Sequence, residues 1–386
     1  MTMMKIVHLI DGRTKTGAIS SVKRILSNYN YDDSKLILLS YGKPIDDNRF
    51  ETDFIDLIFP KKLTDFVSAP AKYIYLLPVL LISFLGDIHR LRKYCKKNSI
   101  DCLHLHHFAD IFQFVFLHGE KIKIVSHIRA IVNKKLWFGL PYIIFRKAVY
   151  NNSDKIIGIS RATLSALDLP DDTKTEIIYN GLEGLDATVH SEISNLGQRS
   201  FIVGSVIRFA KLKGVNLFFD TFFRYFEMYP KDTLKFLLIA PVNNNESQAL
   251  KDYFFERVRE KNLSDKLLYF DHFPDYSYIM PYIDILFHTT LQREGFGNVV
   301  LEANWFGKPA ISTPCQGVND IILNGESGFI MNSYQANESC KLIKQLFEDS
   351  STYNHFSQKA NEIAHSDNFK ISETISRLHS IYMSLK

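Results

Sequence analysis

The chain reads as an α/β protein of two Rossmann-like, doubly wound domains facing across a cleft, and three observations predict it. At 386 residues it exceeds one ordinary core, since a domain takes roughly 100–200 residues. Short apolar runs alternate with helix-length segments through both halves, the pattern of parallel sheets covered by helices. The alternation breaks at the polar stretch "NGLEGLDATVHSEISNLGQRS" and then restarts, which marks a linker. The expected organisation is a first domain over residues 1–185, a linker over 186–199, a second domain over 200–368, and an amphipathic segment over 369–386 able to cross back to the first domain.

In the first half, strands are expected at Lys5–Ile10, Lys35–Ser40, Cys102–His106, Lys123–His127, Lys155–Ile159 and Glu176–Tyr179. Helical spacing falls at Ser20–Asn28, Lys72–Lys97 (broken at Pro78), Leu136–Tyr150 and Arg161–Leu167. The second half offers strands at Phe201–Val206, Leu234–Ile239, Leu267–Phe270, Ile285–His288 and Ala310–Ser312, with helices at Val215–Met228, Ser247–Glu260, Val299–Phe306 and Asn337–Asp349. "ISETISRLHSIYMSLK" reads as a closing helix. Ligands of doubly wound sheets bind at the carboxyl ends of the strands, so the loops there carry the search for function.

Composition narrows the classes. With 46% hydrophobic and 23% charged residues and a net charge of +4, nothing argues for a nucleic-acid partner. The charge is uneven: residues 1–190 hold 26 Lys and Arg against 20 Asp and Glu, net +6, and the remainder is net −2. Cys95, Cys102, Cys315 and Cys340 are far apart with no C-x-x-C pair, which fits neither a disulfide framework nor a zinc site. The opening "MTMMKIVHLIDG" is too short for a signal-peptide core, so a cytoplasmic protein is expected. "YIYLLPVLLISFLG", residues 73–86, runs fourteen positions without a charge and is followed by Arg90, Arg92, Lys93, Lys96 and Lys97. It falls short of the ~18 residues a spanning helix needs. Two readings stay open: a membrane-surface contact through 73–97, or a buried helix with a solvated basic tail.

The chemistry concentrates in "REGFGNVVLEANWFGKPA", where Glu294 and Glu302 stand eight positions apart across a glycine bend. Gly295 and Gly297 let backbone approach a ligand closely, and the helix that follows begins with amides, at Asn298 and Val299, lacking intrahelical acceptors. Such a helix start is an anion site suited to a phosphate. Glu302 lies one turn further along the same face, where a carboxylate can take the two hydroxyls of a ribose. Upstream, "VIRFAKLKG" puts Arg208, Lys211 and Lys213 in a strand-to-helix connection, cations that suit a diphosphate. "HLHHF" sets His104 and His106 on one strand face with no carboxylate or cysteine nearby in sequence, and no D-x-D occurs, so no metal is expected. G-x-G-x-x-G, G-x-x-x-x-G-K-[ST] and G-x-S-x-G are likewise missing.

The E-x7-E stretch together with "RFAKLKG" resembles the family-four glycosyltransferases (glycosyl transferases group 1), retaining enzymes of the GT-B fold that use nucleotide sugars. "SDKIIGIS", "IIYNGLE" and "YIDILFHTT" extend the resemblance through most of the chain. It implies catalytic roles for Arg208 and Lys213 on the donor diphosphate, for Glu294 on the transferred sugar and for His127 at the cleft edge. It implies donor binding by Gly17, Gly295, Phe296, Gly297, Asn298, Val299 and Glu302. The sequence departs from the family pattern at Thr16-Gly17, where paired glycines are frequent, at "QGVNDII", where Asp320 replaces Glu, and at "HTT", where Pro-Ser is common.

The expected function is a metal-independent retaining transfer of a sugar from a nucleotide-diphosphate sugar, the co-substrate, to a hydroxyl of a glycan or lipid-linked acceptor in cell-surface polysaccharide or lipopolysaccharide synthesis. The expected location is the cytoplasm, peripheral at the cytoplasmic face of the inner membrane if 73–97 touches lipid. No other cofactor is expected. Alternatives are a nucleotide-sugar epimerase of the same architecture, separable by product analysis without acceptor, and a non-catalytic two-domain sugar-binding protein.

Overall fold

The structure is a computed structural model that describes residues 3–13, 17–58, 77–117, 121–132, 134, 140–170, 172–185, 200–242, 244–271, 276–291 and 293–386. The chain forms two compact units, residues 1–181 with 371–386, and residues 182–370. The first boundary thus falls at Gly181 instead of 185. Its physical reason is local: Leu182 donates its amide to the Phe369 carbonyl at 2.8 Å and bridges Lys370 in parallel, so the two passages of the chain leave the second unit side by side. The linker expected over 186–199 lies outside the described residues, as do residues 73–76.

The first unit runs β1 (Met4–Asp11), α1 (Gly17–Asn28), β2 (Ser34–Tyr41), β3 (Glu51–Phe54), α2 (Leu77–Asn98), β4 (Cys102–Leu105), α3 (Phe108–Phe114), β5 (Lys123–Ile128), α4 (Leu140–Asn152), β6 (Lys155–Gly158), α5 (Arg161–Ser165) and β7 (Thr175–Ile177). Its strands pair in parallel in the order β3-β2-β1-β4-β5-β6-β7. The sheet is buried on both faces, so β1 and β2 read as almost continuous apolar runs. Of the helix expected over 72–97 and broken at Pro78, residues 72–76 lie outside the described residues. As described, α2 holds Pro78 in its first turn, where a missing N–H has no intrahelical bond to lose.

The second unit runs β8 (Ile202–Val206), α6 (Val215–Met228), β9 (Lys235–Ile239), α7 (Asn245–Glu260), β10 (Leu267–Phe270), β11 (Ile285–His288), α8 (Asn298–Trp305), β12 (Ala310–Ser312), β13 (Gly328–Ile330), α9 (Ala336–Glu348) and α10 (Ser350–Ala364). Its strands, also parallel, lie in the order β10-β9-β8-β11-β12-β13. Counted within each unit, both sheets follow 3-2-1-4-5-6, the Rossmann order, with a seventh strand added at the end of the first, and the direction reverses between the first and fourth strands. The core of this unit is aromatic: Phe219 stacks on Phe254 at 3.9 Å, with Phe218, Phe222, Phe236 and Phe287 buried around them.

The closing helix α11 (Ile371–Ser384) belongs to the first unit. It carries Ile371, Ile375, Leu378, Ile381 and Tyr382 onto the sheet face formed by Ile6, Ile10, Cys102 and Val125, beside Val22 and Ile25 of α1. At ~25 cal/mol per Å² of apolar surface, each such aliphatic side chain contributes about 1.5–3 kcal/mol.

Candidate functional site

In the second unit the expected donor residues gather where the sheet reverses, between β8 and β11. β8 ends at Val206, and Arg208 follows on an exposed loop. A short 3₁₀ turn, Lys211–Lys213, leads to Gly214, the N-cap of α6 at φ +75°. A Cβ at 214 would stand 1.6 Å from the Thr289 carbonyl oxygen, so only glycine lets this loop lie against the loop after β11. Hydrogen bonds fasten the two: Thr289 Oγ1 donates to the Lys213 carbonyl at 3.1 Å, and the Leu291 amide donates to the Leu212 carbonyl at 3.0 Å. Lys213 Nζ and Glu294 Oε2 meet at 3.4 Å with both side chains about a quarter exposed. Residues 81 apart in sequence thus form one charged pair at the carboxyl edge.

The glycine bend is held from behind. Phe296 is buried at 2% exposure, its ring centroid 6.2 Å from that of Phe369, so its ring is core and only its backbone faces the bend. Gly297 caps α8 at φ +95°. The 3₁₀ segment Gln316–Asp320 packs under it, and a Cβ at Gly317 would come within 2.3 Å of the Glu294 carbonyl oxygen. This is the "QGVND" stretch where the sequence leaves the family pattern, and its backbone shapes the bend. Asn298, Val299 and Glu302 are all half-buried at the start of α8. Glu302 lies one turn on from Asn298, as helical spacing requires. Near the pair, His288 is sealed in, and burial pushes its pKa down to about 4 while Glu294 pulls it up.

Gly17 opens α1 in the other unit, where its carbonyl accepts a hydrogen bond from Ser21 Oγ at 2.8 Å. His127, on β5, is 1% exposed. Four histidines are buried together there: His8 of β1, His104 of β4, His106 just beyond it and His127. Burial pushes His8 down to about 3 and holds the other three well below the ordinary imidazole value, with Arg129 adding charge repulsion. Ring nitrogens of His8, His104 and His106 lie within 4.8 Å of one another. Sequence reasoning paired His104 with His106 and missed His8, Arg129 and Tyr382. Strand register could have found His8, which stands opposite His104.

Arg129 Nε donates to His106 Nδ1 at 2.9 Å, placing a cation against the cluster. No helix among the described residues is long and apolar enough to cross a membrane.

Two parallel sheets in Rossmann order, with an ion pair and a glycine-capped helix at one reversal, define a two-domain α/β protein of the GT-B fold. The fold is also that of Anabaena HepE solved in complex with UDP, with a TM-score of 0.77 at 18% identity over 99% of this chain and 100% of that one. Residues 186–363 match the family model for glycosyl transferases group 1, and residues 40–183 match that for glycosyltransferase family 4. The chain belongs to the family-four glycosyltransferases. Among curated relatives, it is 28% identical to the capsular polysaccharide biosynthesis glycosyltransferase CapM of Staphylococcus aureus, over 39% of this chain and 38% of that protein. It is 19% identical to the N-acetyl-alpha-D-glucosaminyl L-malate synthase of Bacillus anthracis, over 76% of this chain and 77% of that one.

Proposed function

We propose that this chain is a retaining, metal-independent glycosyltransferase that moves a sugar from a nucleoside-diphosphate sugar to a hydroxyl of a glycan or lipid-linked acceptor in cell-surface polysaccharide synthesis. The observation that carries the reading is the Lys213–Glu294 pair beside the glycine-capped start of α8. In this reading Arg208, Lys213 and the amides at Asn298 and Val299 hold the diphosphate. Negative charge grows on it as the glycosidic bond breaks, so cations fixed there favour the transition state over the ground state. Glu302 takes the ribose hydroxyls, and Glu294 holds the transferred sugar without forming a covalent intermediate. A donor phosphate oxygen assists deprotonation of the acceptor hydroxyl on the same face, which retains configuration. Supporting the polysaccharide assignment are the name of the CapM relative and the UDP of the HepE complex.

The test is a panel of nucleotide sugars followed by thermal shift and by product analysis, with Lys213→Ala and Glu302→Ala as controls and EDTA in parallel. Stabilisation by at least one nucleoside diphosphate, lost in both variants and indifferent to EDTA, is expected. No stabilisation by any of them sinks the reading.

We also propose that α2 touches the cytoplasmic face of a membrane. Its exposed positions Val79, Ile82 and Leu85 recur at helical spacing, and the same stripe continues into exposed Lys93, Lys96 and Lys97, an apolar-then-basic order that suits an anionic lipid surface. Arg90 is bonded to buried Asp87 at 2.6 Å and Arg92 is half-buried, so the lysines carry the contact. Sedimentation with anionic vesicles tests it: Ile82→Glu with Lys96→Glu is expected to abolish binding, and an unmodified chain that ignores such vesicles ends the idea.

A further inference from the structure

The buried histidines of the first unit form a chain of hydrogen bonds, and its ends decide its direction. Arg129 Nε and His106 Nδ1 are 2.9 Å apart, His106 Nε2 and His8 Nδ1 2.9 Å, and His8 Nε2 and the Tyr382 hydroxyl 3.1 Å. The hydroxyl stands 2.6 Å from His104 Nδ1, and His104 Nε2 is 3.0 Å from His127 Nδ1. Arg129 Nη2 then returns to His127 Nδ1 at 3.5 Å, while its Nη1 donates to Asn180 at 3.0 Å. His127 Nε2 is buried with no protein partner among the described residues.

A guanidinium only donates. His106 Nδ1 must therefore accept, and the neutral ring carries its proton on Nε2, which donates to His8. His8 is then protonated on Nε2 and donates to Tyr382. The tyrosine turns its own proton to His104 Nδ1, and His104 Nε2–H donates to His127 Nδ1. Reversing the chain would set an imidazole N–H against Arg129 N–H at both ends. Burial lowers Arg129 to about 9, which leaves it charged near neutral pH. Every lone pair that His8, His104 and His106 could offer a metal ion is already accepting a hydrogen bond.

We infer that Arg129, acting through His106, His8, Tyr382 and His104, fixes His127 in its neutral Nε2–H form, so that His127 offers a ligand oxygen a donor and never a base. Arg129, Tyr382 and the three relaying histidines are positioning residues. No proton moves. The consequence for catalysis rests on the transferase reading above: His127 orients a hydroxyl or phosphate oxygen and leaves deprotonation to another group.

Ring nitrogen-15 spectra of the full chain, uniformly labelled at histidine and recorded without substrate, test the tautomers whatever the protein transfers. His127 is assigned by its disappearance in His127→Gln, and His8, His104 and His106 by the corresponding single substitutions. The expected result at neutral pH is four neutral rings, with Nε2 protonated in each. Tyr382→Phe is expected to turn His104 into a tautomer mixture while His106, bonded directly to Arg129, and His8, which accepts from His106, keep their form; a purely structural role would disturb all three or none. Arg129→Gln, whose amide can also accept, is expected to bring up the Nδ1–H form of His127. If a donor-sugar assay is established, His127→Gln, which keeps an N–H near the Nε2 position, is expected to retain about tenfold more activity than His127→Asn, the worth of one hydrogen bond. An Nδ1–H or cationic His127 in the unmodified chain, or shifts of His8, His104 and His106 on adding zinc alone, overturns the inference.

Discussion

Where the second sheet reverses, Arg208, Lys213 and Glu294 stand partly in solvent on short loops; where the first reverses, His8, His104 and His127 are sealed beneath a helix. The strand order is the same. The difference is in what covers the carboxyl edge. Glycines at 214 and 297 keep backbone close and side chains out of the way in the second unit, leaving charge accessible to a ligand. In the first, α11 brings an aromatic hydroxyl into the interior, and burial makes neutral imidazoles the only ones tolerated. One topology thus supports an electrostatic site and a hydrogen-bonded one.

The comparison can be broken most severely at the charged end. Lys213→Ala is expected to cut transfer about 10²–10³-fold, the range for removing one preorganised donor, while steady-state kinetics and a melting curve show the fold intact. At the neutral end, Leu378→Ala removes a fully buried side chain of α11 and is expected to cost about 2–5 kcal/mol in urea denaturation, read in the first unit by hydrogen exchange. Acid should separate the units next. A histidine depressed in the fold takes up its proton only on unfolding, so its contribution is complete above pH 6.5 and is lost as pH falls toward the folded value, about 3 for His8 and about 4 for His288. Each contributes a slope of up to about 1.4 kcal/mol per pH unit. With five such groups, His107 included, against one among the described residues, stability measured between pH 6.5 and 4.5 is expected to fall more steeply in the first unit. The smallest effect is at the surface: Arg377 pairs with Glu176 at 2.7 Å with both side chains near 30% exposed, and Glu176→Gln is expected to cost about 1 kcal/mol or less in the same denaturation experiment.

Periodicity made the buried strands legible, since a parallel strand covered on both faces leaves a dense apolar run such as "KIVHLI". It missed β3, whose "ETDF" is an edge strand largely open to solvent, and α10, whose mean composition is polar and whose buried residues are Phe356, Ala360 and Ala364. Around the donor residues, the glycine bend and the cation loop were readable because close backbone approach restricts residue type. Their meeting at Lys213–Glu294 was not, because a contact across 81 residues depends on strand order. The histidine chain was hidden for the same reason: its members come from β1, β4, β5 and the last helix, and no local pattern joins positions 8 and 382.

That last helix also sets an order of events during synthesis. The first sheet leaves the ribosome early, yet the surface that α11 covers stays open, and Tyr382 missing, until the whole second unit has been made. Vectorial folding would therefore finish the domain that starts first only after the one that starts second, with His8 and His104 waiting for the hydroxyl that joins them.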